Sequence, residues 1–175
     1  MKGMLVAWAV SAFLGFVPAD EPTQAERQAL EAKAAAADKD AERLYDEGKP
    51  AEAADRYQEA LAIRERLFPP ETFPEGHPAV QESLGNLGAA LEGAGRLYLA
   101  ESRQREALAL ARRVYPIDRY PDGHDAIAVS LCNLGMVVLK QGRFAAGEET
   151  HRDALAMRRR LYPASRYPDG HPDVA

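Results

Sequence analysis

Apolar side chains recur at intervals of three and four positions in six stretches of the chain, the spacing of one face of an α-helix. In the stretch that follows His77, Pro78 stands at a first-turn position, where its missing N–H costs no hydrogen bond. We expect this helix to end near Gly93 and Gly95, with both glycines in the left-handed conformation of helix stops. The pattern predicts helices near 23–47, 51–67, 78–93, 97–114, 125–140 and 144–161.

The predicted helices form pairs that repeat every 47 residues. Three segments carry the repeat without a gap: LFPPETFPEGHPAV at 67–80, VYPIDRYPDGHDAI at 114–127 and LYPASRYPDGHPDV at 161–174. Because only a few residues join the two helices of a unit, these helices must lie antiparallel. The sequence therefore predicts an all-α fold, an α-solenoid of stacked antiparallel helix pairs.

Small residues occupy the positions at which the two helices of each unit should cross, because close approach of helix backbones requires small side chains. These positions are Ala41, Gly88 and Gly135 in the first helices, and Ala53, Ala100, Gly147, Ala60, Ala107 and Ala154 in the second helices. We assign the glycines of the middle unit to helix packing and helix stopping rather than to ligand binding. These glycines are Gly85, Gly88, Gly93 and Gly95.

A large residue, a Leu-Gly pair, a second large residue and two later small residues recur at fixed offsets in the second and third units. In the second unit they are Leu84, Leu87, Gly88, Leu91, Ala100 and Ala107. This arrangement resembles the tetratricopeptide repeat. SLGNLG at 83–88, SLCNLG at 130–135, REALAL at 105–110 and HPDVA at 171–175 are similar to the longer repeats of the kinesin light chain type. The resemblance covers about Ala35 to Ala175 and implies a tetratricopeptide superhelix.

The resemblance divides the chain into units. An atypical first or capping unit is expected at 20–70, full units at 71–117 and 118–164, and the start of a further unit at 165–175. In the first unit Asp40 stands where the family has leucine, and the first helix is rich in alanine and charge, which suits a polar cap. The apolar outer side of the last helix is expected either to self-associate or to belong to a longer parent protein.

The N-terminus has the layout of a secretory signal peptide at 1–19. Lys2 precedes an apolar run from Met4 to Val17, and small residues suit cleavage after Ala19. The run is shorter than the ~20 residues that span a bilayer. We expect an extracytoplasmic protein, secreted or periplasmic, with no membrane span after cleavage. The alternatives are an uncleaved segment that anchors the chain in a membrane, and a buried amphipathic helix.

Charge and cysteine content exclude several classes of protein. The formal net charge of -5 gives no reason to expect nucleic acid as a partner, and the run Arg158, Arg159 and Arg160 is interpreted as a solvated helix face. Cys132 is the only cysteine, so neither an intrachain disulfide nor a Cys-rich metal motif can form. A lone cysteine on a helix is most often a small, half-buried apolar residue.

The motif Asp122-Gly123-His124 is echoed by Asp169-Gly170-His171 and Glu75-Gly76-His77, and it is the strongest candidate for metal or acid/base chemistry. Metal ligands must lie about 2 Å from one ion. Repeat-related side chains are instead about 10 Å apart, one helix-packing distance. We therefore expect the glycine to allow a turn and the histidine to cap the next helix. No phosphate loop, serine elbow or zinc signature is present, so the sequence predicts no enzyme, cofactor or metal.

The resemblance implies a concave face, lined by the first helix of each unit, that binds a protein or peptide. In kinesin light chain-like repeats, adjacent asparagines on this helix grip extended peptides. Here one asparagine of the pair remains in each unit, with Gly85 or Cys132 in the other place. The alternative is that these asparagines bond between neighbouring helices. The expected face consists of Glu82, Asn86, Ala89, Glu92, Val129, Asn133, Met136, Leu139 and Lys140.

The sequence leaves two functions open. The first is a protein–protein interaction scaffold that binds its partner along the concave face. The alternative is an N-terminal regulatory or sensing fragment of a larger multidomain protein, which could include an enzymatic module. The reading frame beyond Ala175 would distinguish them.

Overall fold

The computed structural model describes residues 22–167 and 171–174, which form six α-helices and a short 3-10 helix with no strand. The all-α prediction is confirmed, and the predicted bounds agree with the observed ones to within one residue. The predicted signal peptide lies outside the described residues. The helices are α1 Gln24–Asp46, α2 Pro50–Leu67, α3 Pro78–Gly93, α4 Leu97–Val114, α5 Asp125–Lys140 and α6 Phe144–Leu161, and the 3-10 helix is Pro172–Val174.

The helices stack in sequence order. The most extensive contacts join α1 to α2, α3 to α4 and α5 to α6, and further contacts join α2 to α3 and α4 to α5. Turns of three residues separate the two helices of each pair, which makes the pairs antiparallel. Since α3 also contacts α5 directly, the first helices of these units line the inner side of the stack.

The predicted crossing positions are confirmed, because every one of the small residues assigned to them is buried. Among the three glycines at these crossings, Gly88 has the closest neighbour. A Cβ atom there would lie 2.8 Å from Cδ of Gln104 and nearer still to its Nε2. Large apolar residues flank the crossings and form the core, for example Leu61, Leu87 and Val137. The core therefore follows the repeat along the stack.

Two of the glycine assignments are wrong. Gly95 has a φ of 73°, as expected of a helix stop, but Gly93 has a helical φ and is the last residue of α3. Gly93 is instead close to Tyr45, because a Cβ atom there would lie 3.1 Å from the tyrosine ring. Gly85 is not a packing residue either, since a Cβ atom at Gly85 would meet nothing within 4 Å.

Glu101 joins the second unit to the third. Its carboxylate accepts hydrogen bonds from Arg105 on its own helix at 2.7 Å and from Gln141 and Arg143, in the turn after α5, at 2.9 Å each. Burial of the carboxyl opposes its ionisation. The three hydrogen bonds and the charge of Arg143 outweigh this effect and lower the pKa of Glu101 to about 2.

Acid should therefore destabilise the fold through Glu101. A carboxyl whose folded pKa lies below its ordinary value of 4.5 stabilises the fold above that value, and the contribution is lost as the pH falls through about 2. We expect about 1–2 kcal/mol to be lost over this window, after allowance for solvent screening of the exposed arginines. Urea unfolding at several pH values measures it. Glu101→Gln should be less stable near neutral pH and should lose less stability in acid, and an unchanged acid dependence would contradict the assignment.

Candidate functional site

A groove of about 250 Å³ runs between α3 and α5 on the inner side of the stack. Its sides are the N-terminal halves of these two helices, and the residue that follows α4 closes it. The lining residues are Pro78, Gln81, Glu82, Gly85, Asn86, Tyr115, Asp125, Ala126, Val129, Ser130 and Asn133. We call this feature the α3–α5 groove.

Buried hydrogen bonds hold the floor of the groove in place. Nε2 of Gln81 donates to Oγ of Ser130 at 3.2 Å, and this hydroxyl donates to the carbonyl of Ala126 at 2.8 Å. Nε2 of the fully buried Gln104 donates to the carbonyl of Gly85 at 2.9 Å. These bonds link α3 to α5 and α4 to α3, so the groove has a rigid floor.

Tyr115 closes one end of the groove and belongs to a cluster of three rings. It stacks on His124 with ring centroids 3.5 Å apart, and Tyr120 meets both rings edge-on. Burial raises the pKa of Tyr115, and the nearby Tyr120 and Glu82 raise it further. The aromatic wall is therefore fixed in orientation.

The same cluster recurs in each unit and explains the Asp-Gly-His motif. Phe68 stacks on His77, and Tyr162 stacks on His171 in the same way. Nδ1 of His77 accepts a hydrogen bond from the backbone N–H of the second residue of α3, and His124 caps α5 similarly. The predicted capping role is thus confirmed at these two histidines. Burial lowers the pKa of His77, which favours the neutral ring that an accepting Nδ1 requires.

The other candidates for chemistry remain isolated from one another. Over residues 22–167 and 171–174, no three His, Cys, Asp or Glu side chains are arranged to hold a metal ion. Cys132 is half-buried and packs against the core cluster around Leu131, as expected of a small apolar residue. Asp169 and Gly170 of the last motif lie outside the described part of the chain.

Four of the nine residues expected on the concave face line the α3–α5 groove. They are Glu82, Asn86, Val129 and Asn133. The two asparagines are half-buried, and Glu82 and Val129 are exposed. Neither asparagine side chain forms a hydrogen bond with another described residue, so the structure gives no support to the alternative in which they link neighbouring helices.

The remaining predicted residues lie outside the lining of the groove. Ala89 and Met136 are one helical turn further along α3 and α5, and Met136 is exposed. Glu92 and Lys140 form an ion pair with each other between α3 and α5. The hydrogen bond to Glu92 raises the pKa of Lys140. Leu139 was expected on the inner face but lies against Gly147 of α6, where it helps to pack the third unit.

Two features of the groove are absent from the predicted set. Tyr115 is one, although Phe68, Tyr115 and Tyr162 follow the same 47-residue spacing as the histidines on which they stack. That spacing is a signal from which the aromatic wall could have been found. The open space above Gly85 is the other. The repeat offers a signal for it too, because the equivalents of Gly85 are Asp38 and Cys132, whereas the equivalents of Gly88 are the small residues Ala41 and Gly135.

Comparison with known proteins supports the repeat assignment. Two family models, both described as tetratricopeptide repeat, match residues 34–79 and 79–160, so that the matched region runs continuously from 34 to 160. No curated protein matches the sequence. Among the described residues, no helix is both long enough and apolar enough to cross a membrane.

Proposed function

Because residues 34–160 are tetratricopeptide repeats, the chain belongs to that repeat family, and we propose that it is a scaffold that binds an extended protein segment in the α3–α5 groove. Repeats of this kind generally mediate protein–protein interaction through the inner surface of the stack.

One observation carries it: Asn86 and Asn133 place half-buried amides, without a partner in the described chain, on the two sides of one groove. An asparagine amide offers both a donor and an acceptor, which suits the N–H and C=O groups of an extended main chain. Val129, exposed in the same groove, adds apolar contact. This arrangement fits a peptide that lies along the groove.

The motifs SLGNLG and SLCNLG support a repeat of the kinesin light chain type with one gripping asparagine per unit. The apolar run at 4–17 supports secretion or export to the periplasm through a cleaved signal peptide, with an uncleaved membrane anchor as the alternative. Self-association through α6 and a regulatory role within a larger protein stay predictions. We propose no catalytic role, because no described cluster of side chains suggests one.

The proposal predicts that Asn86→Ala combined with Asn133→Ala weakens peptide binding about tenfold or more, because each substitution removes hydrogen bonds to the bound main chain. Peptides are first selected on the chain from a display library of random linear sequences, and their dissociation constants are then measured by fluorescence anisotropy. Circular dichroism should show unchanged helicity, since neither side chain bonds to the fold.

The matched control is Gln58→Ala, which removes an exposed amide from α2, outside the groove. It should leave the dissociation constants unchanged. If the selected peptides bind the double asparagine variant as tightly as the unaltered chain, or if no peptide is selected, the proposed function is wrong.

A further inference from the structure

The α3–α5 groove has room for a long side chain directly above the backbone of α3. A Cβ atom at Gly85 would meet nothing within 4 Å, although the residue lines the groove and is half-buried. The backbone at this point is held from behind by the hydrogen bond from Gln104 to the Gly85 carbonyl. The space is therefore a fixed feature of the groove, open only from the inner side.

The walls around this space are apolar, and its rim is acidic. Tyr115, Val129 and Ala126 supply apolar surface, and the ring of Tyr115 is held by its stack on His124. The rim carries the carboxylates of Glu82 and Asp125. Asp125 accepts a hydrogen bond from the hydroxyl of Tyr162 at 2.6 Å, and neither carboxylate has an ion pair within the described chain.

The interface between α1 and α3 lies one repeat before the α3–α5 groove and shows which residues occupy the equivalent positions there. Asp38 lies one repeat before Gly85, and Arg64 lies one repeat before Ala111. Between α1 and α3 the guanidinium of Arg64 bonds to Asp38 and to Ser83. The second interface has neither charged side chain, which leaves the space above Gly85 unfilled.

Resting on the proposed function, we infer that the α3–α5 groove selects a bound segment with an arginine or lysine side chain, which lies over Gly85. The aliphatic stem of such a residue packs against Val129 and Tyr115, while its cationic head lies between the two rim carboxylates. The face of an aromatic ring also attracts a cation. An acidic side chain would be repelled here, and a wholly apolar one would bury the rim without neutralising it. The partner is thus a protein with an exposed, basic, extended segment.

The test uses the peptides selected on the full chain, which should share a basic residue at one position. In synthetic copies of one such peptide, that residue is replaced by citrulline, which keeps the shape of arginine without its charge, or by glutamate. Citrulline should weaken binding about fivefold to tenfold, and glutamate should weaken it further. Glu82→Gln should weaken binding of the basic peptide by a similar factor and leave binding of the citrulline peptide unchanged.

Two further variants of the chain serve as a control and as a test of the space above Gly85. Glu65→Gln removes an exposed carboxylate from α2, outside the groove, and should change nothing. Gly85→Leu should abolish binding of the basic peptide without loss of helicity, because the new side chain meets open space rather than the fold.

The outcomes separate this inference from the proposed function. If the selected peptides share no basic residue, or if citrulline binds as well as arginine, the inference is overturned. Sensitivity of the same peptides to the double asparagine variant would still support the groove as a peptide site. If binding is insensitive to both the asparagine variant and Gly85→Leu, the inference and the proposed function fall together.

Discussion

Replacing Arg64 by methionine is expected to lower the free energy of unfolding by about 2–4 kcal/mol. The Arg64 side chain extends from α2 to Asp38 on α1 and Ser83 on α3, and both members of the ion pair are only 17% exposed. Oδ1 of Asp38 is buried and already has no partner within the described chain. Methionine keeps the packing of the stem but leaves a half-buried carboxylate without its counter-charge. Urea unfolding followed by circular dichroism measures the loss.

The double variant Asp38→Ala with Arg64→Met is the control for this prediction. It removes both charges, so most of the lost stability should return, and the coupling energy of the cycle should be favourable. The chain offers a precedent, because the next unit has Gly85 and Ala111 at these positions and stacks in the same way. A single variant within about 0.5 kcal/mol of the unaltered chain would contradict the prediction, and so would a double variant no more stable than the single one.

The helices and their crossings could be predicted because their signals are local. Pro78 and Gly95 mark the start of one helix and the stop after it, and a period of 47 residues carries each assignment to the next unit. Small residues at the crossings follow from backbone distance alone. The wrong assignment at Gly93 also comes from a local signal. Two glycines lie close together at the end of α3, only one of them takes the left-handed conformation, and the sequence does not show which one.

The contacts between units could not be predicted, because they depend on how the helix pairs stack. Glu92 and Lys140 were each expected to face a partner protein, yet they pair with each other. Asp38, Arg64 and Ser83 lie on three different helices, and no periodicity in the sequence connects them. Four of the nine residues expected on the concave face do line one groove, since repeat spacing fixes the side of the helix. Which residues remain available to a ligand depends on the neighbouring unit.

Gly88→Ala is expected to lower the free energy of unfolding by about 2–3 kcal/mol, whereas Gly85→Ala should raise it by about 0.5–1 kcal/mol. Both residues are in the interior of α3, so each substitution gains the same helix propensity. The new methyl group at Gly88 would collide with Gln104, which is fully buried and cannot move into solvent. At Gly85 it would meet nothing within 4 Å.

The difference in the free energy of unfolding between these two variants measures how much the collision at the α3–α4 crossing destabilises the fold. Displacing Gln104 would also break its hydrogen bond to the Gly85 carbonyl. The Oε1 atom of Gln104 already has no partner among the described residues. Urea unfolding of both variants, compared with the unaltered chain, tests the prediction. Equal changes in stability would mean that Gln104 adapts. The groove floor that Gln104 supports would then not be rigid, and the space above Gly85 would lose its fixed shape.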